Sequence, residues 1–164
     1  MVRRLPARTL LVPSLTIAVL AGCGAVNDRP YLDPLPNAIV DTVHAHPRVV
    51  IPEIEGLVTA EGLGVRLSTA REGYLETEWF DTETMRSGAT RTREPHRVVR
   101  LRFFANPIGE DLTELLAEAV IRQTLDPSLP ERENERMVPT GHPGEELLNR
   151  ILTAVAERFG DSRS

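Results

Sequence analysis

Tyr74-Leu75-Glu76-Thr77-Glu78-Trp79-Phe80, and further on His96-Arg97-Val98-Val99-Arg100-Leu101-Arg102-Phe103-Phe104-Ala105, decide the fold. In the first stretch Leu75, Thr77 and Trp79 share one face, and Tyr74, Glu76 and Glu78 the other. In the second, Val99, Leu101 and Phe103 alternate with Arg100 and Arg102. A period of two with one apolar side is the pattern of a half-buried β-strand. Set side by side, the strands bring Arg100 and Arg102 opposite Glu76 and Glu78, so a solvated, ion-paired sheet face is expected. The adjacent pairs Trp79-Phe80 and Phe103-Phe104 cannot each point to one face. One member of each pair must face outward or lie at a sheet end. Tyr74, Trp79, Phe80, Phe103 and Phe104 are therefore the candidate binding surface.

Working outward, residues 64–69 alternate weakly and read as a strand, joined to the next by the turn Arg71-Glu72-Gly73. Residues 81–94 and 126–139 are polar or proline-rich and read as loops. Residues 112–124 are rich in Leu, Glu and Ala, which favours helix. The strand at 96–105 needs a hairpin partner, so residues 112–124 lean to strand, with helix left open as the alternative. Residues 52–61 predict a helix, with Pro52 in its first turn and Gly62 after its end. Residues 144–159 predict a second, with Leu147, Leu148, Ile151, Leu152, Val155 and Phe159 on one stripe. Glu146 and Arg150 are placed to pair on its outer side. Residues 37–46 fit a short helix or irregular chain. The sum is one α+β domain over residues 37–160, a small antiparallel sheet covered on one face by helices, with a short tail at 161–164.

The 164-residue chain carries a formal net charge of −5, and all its basic residues are arginine. Met1 to Arg8 is basic, and Thr9 to Leu20 is apolar, uncharged and broken by Pro13. That segment is short for a membrane span and suits an export signal. Its removal would leave about 140 residues, enough for one core. It would also take away Arg3, Arg4 and Arg8 and make the remainder more acidic. An acidic domain argues against nucleic acid as a partner and against electrostatic docking on anionic lipid. Cys23 is the only cysteine, so no disulfide within the chain supports the fold.

The tetrapeptide Leu20-Ala21-Gly22-Cys23 resembles the lipobox of bacterial lipoproteins. The resemblance implies a signal peptide of residues 1–22, cleavage after Gly22 and covalent lipid on Cys23. Two or three acyl chains, at roughly 0.8 kcal/mol per buried methylene, hold a protein on a membrane where one chain does not. Residues 23–36, with Pro30, Pro34 and Pro36, read as an extended tether. In the same family Gly24, where an inner-membrane protein would carry aspartate, implies outer-membrane sorting, facing the periplasm. No other cofactor is implied.

Reactive candidates are sparse. His44 and His46, with Asp41, have metal-capable side chains but no matching second pair, and surface histidines before a proline are commoner. Glu76 and Glu78 could do acid–base work, but cross-strand pairing with arginine explains them more simply. Ser68, Ser87 and Ser128 have no nucleophile-elbow glycines, and no glycine-rich phosphate loop follows a strand. The run Glu131-Arg132-Glu133-Asn134-Glu135-Arg136 reads as a solvated segment. No enzyme is expected; a hydrolase using Glu76 or His142 is the remote alternative.

Gly73-Tyr74-Leu75-Glu76-Thr77-Glu78-Trp79-Phe80 resembles a strand of BamC-like outer-membrane assembly lipoproteins, which follows a helix and precedes an arginine-rich strand. The likeness extends loosely over residues 47–159, but those proteins have a second domain that this chain lacks. It implies a helix-grip-like fold and a non-catalytic binding or accessory role toward an envelope protein partner. The alternative is a periplasmic carrier of a small molecule or lipid, with Trp79 and Phe103 lining a sheet–helix groove.

Overall fold

The computed structural model describes residues 29–30, 32–88, 94–122 and 128–160. The export segment, Cys23 and the 161–164 tail lie outside the described residues. In chain order the elements are β1 (Ile39–Val43), α1 (Pro47–Ala60), β2 (Val65–Thr69), β3 (Tyr74–Thr77), β4 (Phe80–Asp81), β5 (Arg86–Ser87), β6 (Val98–Pro107), β7 (Thr113–Arg122), β8 (Glu135–Met137) and α2 (Pro143–Phe159). Single 3-10 turns span Pro95–Arg97 and Glu131–Asn134.

Among the described residues eight strands form one antiparallel sheet, ordered β1-β7-β6-β3-β2. β4 pairs with β6 beyond β3, and β8 pairs with β7 beyond β1. The hairpin of β6 and β7 is the spine, in register from Val99↔Ile121 to Pro107↔Thr113. Residues 112–124 were expected to be strand, and β7 is that strand. The helical propensity of its Leu, Glu and Ala yields to backbone pairing on both edges. On the helix-covered side large faces small across this hairpin: Leu101 opposite Ala119, Phe103 opposite Ala117, Leu115 opposite Ala105. That complementarity leaves an even surface on which helices can lie.

Both helices lie on that side. Ile51, Ile54 and Val58 of α1 and Leu147, Leu148, Ile151 and Val155 of α2 join Leu75, Phe80, Leu101 and Phe103 in one buried cluster. The approach is close: a Cβ added at Gly144 would meet Val99 Cγ1 at 3.0 Å. α1 ends in a Schellman motif, in which Gly62 N–H donates to Thr59 O and Leu63 N–H to Val58 O. Gly62 has φ 82°, and Leu63 and Val58 are both buried. Gly73 turns the chain between β2 and β3 with φ 67°, and a Cβ there would stand 2.0 Å from Ala105 O.

Four expectations need correction. Residues 37–46 are neither helix nor irregular, because Ile39–Val43 pairs with β7 as an edge strand. α1 begins at Pro47, not Pro52, which is an interior, exposed helical residue. The loops at 81–94 and 126–139 contain β4 in part, β5 and β8. Arg150 of α2 pairs with Glu61 across the two helices at 3.3 Å, where Glu146 had been expected.

Candidate functional site

Period-two alternation aims Tyr74, Glu76, Arg100, Arg102, Phe104 and Glu118 at the side of the sheet away from the helices. Cross-strand register lines up Glu76, Arg102 and Glu118 in one row and Tyr74, Phe104 and Leu116 in the next. The expected solvated face is instead buried. Glu76, Arg100, Arg102 and Glu118 are all at most 4% exposed. Two segments cover them. One is residues 29–30 and 32–36, the described part of the expected tether, which lie across the face as a strap. The other is the 3-10 turn running into β8, which brings Arg132 and Glu135 onto the face while Glu131, Glu133 and Arg136 stay exposed, so the run at 131–136 is a lid with a solvated outer side.

Charge holds the cover down. Arg132 donates to Asp33 O at 2.6 Å and to Glu118 Oε2 at 3.1 Å, and Leu35 N–H donates to Glu118. Arg29 lies over the Phe104 ring, 5.3 Å from its centroid, and donates to Asn106 Oδ1 at 3.0 Å. Arg102 Nη2 donates to Glu135 Oε1 at 2.9 Å, its Nη1 forms an ion pair with Glu135 Oε2 at 2.6 Å without hydrogen-bond geometry, and its Nε reaches Glu76 at 3.3 Å. Burial would lower the Arg102 pKa, but the hydrogen bond and charge of Glu135 outweigh it and hold the guanidinium above its ordinary value. Glu76 is also bonded by Tyr74 Oη at 3.1 Å and by Arg66 at 3.1 Å. Burial, then the Glu76 charge, pushes the Tyr74 phenol well above its usual range, so it serves as a donor. Arginine suits such a face because its planar fork engages two carboxylate oxygens at once.

Arg100 is held less well. The carboxylates of Glu76 and Glu131 both stand 3.7 Å away, and its buried Nε has no hydrogen-bond partner among the described residues. Burial pushes its guanidinium down to about 10, against the pull of Glu76, which still leaves it charged at neutral pH. Two guanidinium groups approach the Trp79 ring, Arg100 at 4.4 Å and Arg122 at 4.2 Å from its centroid. Arg122 ion-pairs with Glu131, and burial also lowers its pKa. A cavity of about 440 Å³ opens beside these groups. Its walls are Arg66, Arg100, Arg102 and Arg132, Glu76, Glu131 and Glu135, and the apolar Pro30, Leu32 and Leu67.

The structure separates the expected aromatic surface. All five rings are buried, so they form no exposed patch. Phe80 and Phe103 belong to the helix-side core. Tyr74 and Phe104 meet edge to face at 5.1 Å on the other side, where Trp79 also lies. Strict alternation placed Trp79 with Leu75 and Thr77. The register against β6 slips by one residue between Glu76↔Arg102 and Phe80↔Val99, and this bulge turns Trp79 to the charged face. Trp79 and Phe103 thus stand on opposite sides of the sheet and do not line one groove. Glu78 is exposed and apart from Glu76, so the two carboxylates do not act as a pair.

The histidines have local duties. His46 Nδ1 accepts from Arg48 N–H at 3.2 Å at the start of α1, and His142 Nδ1 accepts from Gly144 N–H at 3.0 Å at the start of α2. Each is an N-cap followed by proline. His142 Nε2 lies 2.8 Å from His96 O, which fixes the tautomer that lets Nδ1 accept. Among the described residues no three His, Cys, Asp or Glu side chains gather as a metal site. Sequence reasoning missed Arg66, Glu118, Arg122, Arg132 and Glu135. Glu118 did leave a signal, a lone charge inside the apolar run Leu115 to Ile121. Glu135 left none.

A scan against models of protein families finds no match, and a search of curated proteins finds no similar sequence.

Proposed function

We propose that this chain is an envelope lipoprotein, anchored through lipid on Cys23, whose α+β domain is a non-catalytic binding module using the strap-covered cavity. The observation that carries this is the strap itself. The chain that follows Cys23 reaches the domain at Arg29 and lies along the charged face, where Pro30 and Leu32 form part of the cavity wall. Six residues of extended chain span at most about 20 Å, so anchor and site stand close together. Leu20-Ala21-Gly22-Cys23 supports the anchor, and Gly24 supports an outer-membrane address facing the periplasm. The likeness of Gly73–Phe80 to BamC-like proteins supports a helix-grip-like reading of the sheet and an accessory role in outer-membrane protein assembly, toward an envelope protein partner.

Cells expressing the full chain and fed labelled palmitate should yield a labelled protein in the membrane fraction. Cys23→Ala should lose both label and membrane association. Label retained in that variant would refute the anchor. For the binding role, crosslinking in intact cells should capture an envelope protein at strap or lid positions and not at exposed positions on α2. Equal capture at both would count against the site.

A further inference from the structure

The charged face is built around paired charges, yet among the described residues Arg100 Nε, Arg102 Nη1, Arg122 Nε and Glu135 Oε2 are buried without a hydrogen-bond partner. Arg102 and Arg132 are engaged by Glu76, Glu118 and Glu135 at hydrogen-bond distance, and Arg66 by Glu76. Arg100 lines the strap-covered cavity, is 4% exposed, and is the most loosely paired of its arginines, with its nearest described carboxylates at 3.7 Å. A buried guanidinium with five donors normally finds closer acceptors.

The group that approaches Arg100 from the lid is the carboxylate of Glu131. The same oxygen also ion-pairs with Arg122, the second guanidinium against Trp79. Its side chain is 53% exposed and sits on a one-turn 3-10 helix, so little ties it to the fold. Five arginines (66, 100, 102, 122 and 132) meet four glutamates (76, 118, 131 and 135) here, in a chain whose net charge is −5. Take Glu131 away, and two partly desolvated guanidinium groups lose a carboxylate, Arg100 in the cavity wall and Arg122 beside it. Beyond them the wall is Pro30, Leu32 and Leu67, which offers an apolar surface to whatever body a ligand carries.

We propose that this cavity binds a small molecule bearing a carboxylate and a short apolar body, its carboxylate taking the place between Arg100 and Arg122 that Glu131 now fills. This rests on the strap-covered cavity being the binding site and is independent of the anchor. Glu131 is then a displaceable stand-in: it neutralises the site when empty and competes with the ligand for it. Two charge-assisted hydrogen bonds to one carboxylate give the head its selectivity, and the size of the cavity sets a limit on the body.

Trp79 is the only tryptophan and both arginines lie against its ring, so its emission reports on the site directly. The full chain, in detergent and at fixed ionic strength, is titrated with hexanoate, acetate and hexanol. Hexanoate should change the Trp79 emission saturably. It should bind Glu131→Ala about tenfold more tightly than the original chain, the range expected for removing one charged competitor. Acetate and hexanol should each bind more weakly than hexanoate. Arg100→Gln should abolish the response. If that variant fails to fold, Arg122→Gln, at a half-buried site, should reverse the gain in the Glu131→Ala background. No hexanoate response in either the original chain or Glu131→Ala would overturn the proposal. So would hexanol matching hexanoate, acetate matching hexanoate, or a gain that survives Arg122→Gln. A failed titration alongside site-specific capture of an envelope protein would remove this ligand class and leave the binding module standing.

Discussion

The two faces of the sheet are closed by different physics. The helix face is sealed by Ile54, Leu101, Phe103, Leu148 and their neighbours, all at or near zero exposure. Burial of apolar surface is non-directional, and a packed set of such side chains has one well-defined arrangement. The other face is sealed by a strap and a turn whose grip is a set of directed ion pairs, such as Arg132 to Glu118 and Arg102 to Glu135. Each of those bonds exchanges against water at a small net gain. A cover held in this way is one that a ligand can rearrange, whereas the helices are a fixed support. The molecule therefore places its rigidity on one side of the sheet and its adjustable contacts on the other.

The largest effects should come from single truncations at the centre of either face. Phe103→Ala should lower stability by roughly 3–5 kcal/mol through the cavity it leaves. Arg102→Ala should lower it by about 3–5 kcal/mol for a different reason, the carboxylates left buried and uncompensated. Chemical denaturation measures both, and the faces separate at the next step. Arg102→Met combined with Glu135→Leu should recover part of the Arg102→Ala loss, because the nearest carboxylate is removed with its partner while Glu76 and Glu118 keep their other arginines. If the double variant is as unstable as the single one, the charged face is a structural core and not an adjustable one.

Gly73→Ala tests the turn that sets the register for both faces. It should lower stability by at least about 1–2 kcal/mol from the left-handed backbone alone, and by more from the clash with Ala105 O. A melting temperature equal to that of the parent would show that the turn can relax. His142→Ala removes the N-cap of α2 and should lower stability by about 0.5–2 kcal/mol. The same change leaves the strap in place, so hydrogen exchange at Leu35 N–H should not alter. Arg150→Ala, at the exposed pair with Glu61, should shift stability by less than about 1 kcal/mol.

Much of the fold could be read from the sequence where one face of an element is apolar and the other is not. The stripe of Leu147 to Val155 and the alternation of Val99, Leu101 and Phe103 each identify their element, since a helical or twofold repeat puts the apolar residues together. Gly62 and Gly73 mark the ends of elements because only glycine takes their backbone conformation without strain. The arginines of β6 were expected opposite Glu76, and they do pair with it. The burial of that pairing was not legible. Nothing in Glu131 to Arg136 distinguishes a solvated charge run from a lid. The prolines of residues 29–36 suit an extended chain whether it is free or laid across a sheet. β1 was missed because an edge strand of five residues has too little pattern to outweigh the turn-forming neighbours beside it.

By itself the sequence determined that β6 has one apolar and one arginine-bearing face, that two amphipathic helices must cover an apolar surface, and that Cys23 has no other cysteine to pair with. These follow from local geometry and composition. Only the tertiary structure decided what covers the charged face, that a one-residue bulge carries Trp79 to that side, and that Glu118 and Glu135 meet Arg102. Those contacts join residues far apart in the chain, and the bulge arises from how β3 and β4 must both pair with β6. Arg100 shows the difference in one residue: alternation gave its direction, and the fold left it buried without a close partner.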